Sequence, residues 1–174
     1  MNRSGIQALD QALALHRAPV HLDAIRRKDL PRDLQFLLRI AADDAEATAQ
    51  AAQLSGESPQ AVREVAIFYL QQLLFAEDSD SYRVLGVNPD APDEQIKLHY
   101  RWLARWLHPD RNPDAWESVF ADRVNLAWQD LRTPSRRQAY DASRTNESAL
   151  EGRHGDIPAF VQSVVLPNIA KLFV

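Results

Sequence analysis

His108, Pro109 and Asp110 place an imidazole and a carboxylate on either side of a residue whose φ is fixed by its own ring. Three kinds of chemistry could use such a tip. His108 could serve as a general base, it could form half of a metal site with Asp110, or the pair could be a rigid polar point offered to another macromolecule. The chain has five histidines and no cysteine, which excludes thiolate zinc sites, cysteine nucleophiles and disulfides. No second histidine stands near His108 in sequence, and His99 falls toward another side of the preceding helix. An enzyme is therefore disfavoured, no catalytic residue, metal ligand or cofactor is assigned, and on these three residues alone the plain reading is a loop histidine capping a helix end with Asp110 as an ordinary turn residue.

The tip must be held by helices. Pro92 to Leu107 lies between proline punctuators and reads as one long helix, with Asp93 and Glu94 in the first turn where they complement the helix dipole. At about 100° per residue, Ile96, Tyr100, Leu103 and Leu107 share the core side. Lys97, Arg101 and Arg105 form a row at four-residue steps on the neighbouring flank. Like charges at that spacing repel by a few tenths of a kcal/mol per pair, a small cost that an acidic partner surface would remove. Leu98, Trp102 and Trp106 form a third stripe. Tryptophans left in water would be an unusual apolar patch, so this stripe is a candidate intramolecular interface, with the N-terminal helices or the apolar tail as covers. A second helix follows from about Ala115 and ends before Pro134, completing a helical hairpin with the tip between its arms.

Elsewhere apolar residues recur at helical spacing and strand patterns are nearly absent, so the expected class is all-α. Helices are expected from Gly5 to His16, from Pro31 to about Asp43-Asp44, from Ala45 to Leu54, and from Ser58-Pro59 through Leu73, the last opened by a serine cap and a proline in the first turn. Acidic Glu77, Asp78 and Asp80 mark a boundary. The division is 1–77, an N-terminal helical region; 78–142, the hairpin unit; 143–157, a polar linker; and 158–174, a short apolar C-terminal segment expected to dock on the N-terminal helices. That segment is interrupted by Gln162, Ser163, Pro167, Asn168 and Lys171 and falls short of a roughly 20-residue membrane span. With no signal-peptide pattern, the chain reads as cytoplasmic. A net charge of −4 argues against nucleic acid as the partner of the basic row.

The residues also carry a resemblance. Ser81-Tyr82-Arg83-Val84-Leu85-Gly86-Val87 resembles the opening helix and turn of a J-domain, the DnaJ co-chaperone family. Ile96-Lys97 and Tyr100-Arg101 are similar to its second helix and His108-Pro109-Asp110 to its signature loop. Asn125, Ala127 and Leu131 match its third helix, and Pro134 with Arg136-Arg137-Gln138-Ala139-Tyr140-Asp141 its closing segment. The chain lacks a Gly/Phe-rich segment and a cysteine-based zinc region, and so looks like the minimal class.

The resemblance implies a J-domain helical hairpin that binds a DnaK-type (heat-shock 70 kDa class) chaperone and stimulates its ATP hydrolysis. The basic face of helix II would dock on an acidic chaperone surface, and the loop aspartate would reach the coupling machinery. The implied partner-binding residues are His108, Pro109, Asp110, Lys97, Arg101 and Arg105, with Tyr100 and Asn112 beside them. A client or adaptor protein could bind through residues 1–77, unless those helices are a support. Three departures stand out. Leu98 and Trp102 occupy positions that are usually basic, Trp106 stands where the family more often has its later lysine, and Phe120 is one place before the usual phenylalanine position, here Ala121. The alternative is a degenerate J-fold that acts as a protein-interaction scaffold without ATPase stimulation.

Overall fold

The computed structural model describes residues 6–19, 22–110 and 115–153, with the side chains of 115–118 and 146–153 excepted. Among these residues the chain is all-α: α1 (Gln7–Arg17), α2 (Leu22–Arg26), α3 (Leu34–Ala41), α4 (Ala45–Ser55), α5 (Pro59–Leu74), α6 (Ser81–Val84), α7 (Asp93–Trp106), α8 (Ala115–Leu131) and α9 (Pro134–Arg153). None of these helices is long and apolar enough to cross a membrane.

Local chemistry sets most of the boundaries. Ser58 accepts a hydrogen bond from the Ala61 N–H, and Pro59 occupies the first turn of α5, where a missing N–H costs nothing. Asp44 caps α4 through the Ala47 N–H at 2.9 Å, and Gly56 ends that helix in the left-handed conformation, φ 74°. Helix α1 begins differently. Ile6 has no capping side chain, and the Ala8 N–H donates instead to both carboxylate oxygens of Asp33, at 3.1 and 3.2 Å. Asp33 stands at the N-cap of α3 but makes no cap bond there, because its carboxylate is engaged by α1.

Helix α5 is the hub of the N-terminal helices and packs against α1, α3 and α4 through Val62, Val65, Ala66, Tyr69, Leu70 and Leu73. Helix α3 buries Leu34, Leu37, Leu38, Ile40 and Ala41, and faces α7 as well as α5. The residues up to Arg137 form one compact unit and those from Gln138 another. The sequence boundary at 77/78 is thus a change of pattern along the chain, with no gap in packing across it. The segment 143–157, expected as a linker, begins as helix, since α9 continues to Arg153. Its residues from Ser143 to Glu151 include neither glycine nor proline, so nothing stops the helix there. The apolar segment 158–174 and its expected docking lie outside the described residues.

The join within the first unit is made of side chains that satisfy backbone groups. Asn88 accepts from the Leu30 N–H at 2.9 Å and donates to the Leu30 carbonyl at 3.0 Å. Arg83 donates to the carbonyls of Leu73 and Lys28, and Arg123 donates to those of Phe75 and Ala76 at 2.8 and 2.7 Å. Gly86, at φ 69°, lets the backbone approach Leu34, Leu74 and His99, where a Cβ would stand 3.2 Å from Leu34 Cδ2.

Candidate functional site

Helix α7 starts after Pro92 and is capped at Leu107, whose N–H closes on the Leu103 carbonyl at 2.9 Å. The chain then turns through His108, Pro109 and Asp110, all exposed. The Asp110 N–H donates to His108 Nδ1 at 3.2 Å, and the Asp110 carboxylate lies 3.6 Å from the same nitrogen. A nitrogen that accepts must be unprotonated, so the neutral ring carries its proton on Nε2. The imidazole therefore serves the loop as an internal acceptor, and the Asp110 carboxylate beside it is 88% exposed. Among the described residues no group of His, Asp and Glu is placed to hold a metal ion. Asn112 lies outside the described residues.

Lys97, Arg101 and Arg105 are all exposed on α7, as a row leading toward the loop. The Arg105 guanidinium lies over the Trp102 ring, 5.6 Å from its centroid. Tyr100 is half-buried: its ring stacks on Trp128 of α8 at 4.5 Å and 7°, and its hydroxyl donates to Asn125 at 3.3 Å. That contact fastens the two arms of the hairpin beside the row. Arg137 bonds the Tyr82 hydroxyl, Asp93 and the Pro89 carbonyl, holding the start of α7 to α6.

The sequence of the hairpin can now be set beside known proteins. A family model for the DnaJ domain matches residues 80–141. Residues 80–141 are a DnaJ domain. Over the same region the chain is 44% identical across 63 residues to "Chaperone protein DnaJ 2" of Streptomyces avermitilis, covering 36% of this chain and 17% of that protein. It is 40% identical across 88 residues to "Chaperone protein DnaJ 1" of Aquifex aeolicus, covering 49% and 24%, and 46% identical across 79 residues to "Chaperone protein DnaJ" of Ruegeria pomeroyi, covering 44% and 20%. The chain thus aligns with a quarter or less of the length of these relatives. No solved structure gives a significant match.

The J-domain helix α7 has a second side, turned toward the N-terminal helices. Trp106 is buried, 2% exposed, with its ring 6.3 Å from that of Phe75 at the end of α5. Leu98 and Trp102 are half-buried, and Trp102 Nε1 is sequestered without a hydrogen-bond partner. Phe120 stacks on Phe75, 4.3 Å between ring centroids and 12° from parallel. Its place one residue before Ala121 thus directs the ring to α5. Small Ala104 and Ala121 leave a groove of about 220 Å³ below the loop, lined also by Leu103, Leu107, Pro109 and Val124.

The J-domain residue that sequence reasoning missed is His99. It is fully buried, and its Nδ1 faces the Leu85 carbonyl at 3.2 Å. Nδ1 must donate there, which leaves Nε2 as a bare lone pair with no partner. Burial pushes its pKa down to about 4, and the backbone of Leu85 and Gly86 offsets this only in part. The signal was positional: His99 is three residues after Ile96 and four before Leu103, inside the apolar arc.

Proposed function

We propose that this chain is a J-domain co-chaperone that binds a DnaK-type chaperone and stimulates its ATP hydrolysis, with no catalytic chemistry of its own. The observation that carries this reading is the loop on a DnaJ domain: an exposed Asp110 carboxylate, held by a proline and by the His108 ring, next to exposed Lys97 and Arg101. A preformed tip lowers the entropy lost on docking, and cations beside it steer an acidic surface toward it. Residues 1–77 act first as a support for the J-domain, because J-domain side chains bond their backbone at Leu30, Leu73, Phe75 and Ala76. A client or adaptor would bind the outer faces of the same helices. The reading carries a cytoplasmic location, since the chaperone and ATP must share the compartment.

The test is single-turnover ATP hydrolysis by a purified DnaK-type chaperone, with this chain and with Asp110→Asn. Acceleration that the variant loses is the expected result. Binding without acceleration would move the assignment to the scaffold alternative, in which the J-fold only holds proteins together.

A further inference from the structure

The course of α3 along α7 can be read from its two ends. Leu34, at its start, meets Gly86 where His99 also lies. Asp44, just beyond its end, has its carboxyl held below the usual range first by the Ala47 N–H, then by Arg39 and by Arg105, further along α7 toward the loop. Arg32, just before α3, bonds Asp90, just before α7, at 3.1 Å, and α3 packs along α7, so the turn between α3 and α4 lies toward the Arg105 end of the row. It carries Asp43, Asp44 and Glu46 against Arg39, which bonds Asp44 at 2.8 Å and Glu46 at 2.9 Å. The turn is left with net negative charge. Meanwhile Phe75 covers Trp106, and the Arg105 guanidinium rests on Trp102.

We propose that the N-terminal helices form a selectivity wall on the chaperone-docking face. They cover its tryptophan flank, set an acidic turn near the exposed Arg105 that competes with a partner for it, and leave Lys97 and Arg101 as the cations that an acidic partner can use. This rests on the co-chaperone reading above and refines it. An acidic surface that spreads toward Arg105 meets the like charge of the turn, whereas a compact acidic patch confined to the Lys97 and Arg101 end docks without that repulsion. The partner that fits is a DnaK-type chaperone with a narrow acidic patch.

The experiment measures binding of the full chain to a purified DnaK-type chaperone in ATP at low and high salt. Four variants are compared: Lys97→Ala, Arg101→Ala, Arg105→Ala and the double variant Asp43→Asn/Glu46→Gln. Asparagine suits the left-handed backbone of Asp43, φ 62°, and neither position caps α4, so the double variant keeps the fold; circular dichroism checks that it does. Loss of about tenfold is expected for Lys97→Ala and for Arg101→Ala, and less than about twofold for Arg105→Ala. The double variant should bind about two- to fivefold tighter at low salt, with the gain lost when salt screens it. Two results overturn the wall while leaving the co-chaperone reading intact: Arg105→Ala costs as much as Arg101→Ala, or the double variant binds no tighter. Absence of binding by the wild type and every variant would overturn both.

Discussion

Protonation of His99 should loosen the fold, and its size follows from its site. An unfolded histidine titrates near 6.5, and burial holds His99 to about 4. Between those values the unfolded chain binds a proton that the folded chain refuses, so stability rises with pH across the window and is flat above it. The shift of roughly 2.5 units at 1.36 kcal/mol each makes the folded state less stable by about 3 kcal/mol below pH 4 than above pH 7 from this group alone. Carboxylates titrate in the lower part of the same window, so the quantity to measure is a difference. His99→Asn keeps an N–H for the Leu85 carbonyl and does not titrate. Urea unfolding followed by tryptophan fluorescence at a series of pH values from 4 to 8 should show the variant losing less stability than the wild type as pH falls. The two curves should converge by about 3 kcal/mol over the range. Parallel curves would refute the argument, because they would mean that His99 has the same proton affinity folded and unfolded.

Two further outcomes follow from the backbone. Gly86→Ala should cost about 1–3 kcal/mol, since a Cβ at positive φ would stand 3.2 Å from the buried Leu34 side chain, and a lowered urea midpoint is the readout. Asp33→Ala should destabilise by about 1 kcal/mol through the N-terminus of α1, with increased amide exchange at Ala8, whereas a loss centred on α3 would contradict the assignment of its carboxylate to α1.

Where a boundary depends on neighbours in sequence, it could be read in advance. The cap of α5 at Ser58, the glycine stop of α4 and the proline-bounded course of α7 are of this kind. So was the turn that follows α7, because Pro109 stands just after His108. What escaped was tertiary. Helix α1 takes its cap from Asp33, a residue that by sequence pattern belongs to α3. His99 has a polar side chain in an apolar arc, and residue type misled where position did not. Tyr100, expected on the core side, is half-buried because Trp128 offers it a flat stacking partner at the surface. The short α2 has no apolar periodicity to announce it and buries none of its residues.

The two-way amide pairing of Asn88 with Leu30 also bears on how the protein is made. Its partners are 58 residues apart, as are those of the pairing between Arg32 and Asp90. On a ribosome adding about 5–20 residues per second, the Leu30 backbone waits roughly 3–12 s for Asn88 to be synthesised. The apolar faces of α3 and α5 that receive Gly86, His99 and Trp106 stay uncovered for longer still, until residue 106 is made. The nascent chain therefore passes through an interval in which its N-terminal helices have only one another to pack against.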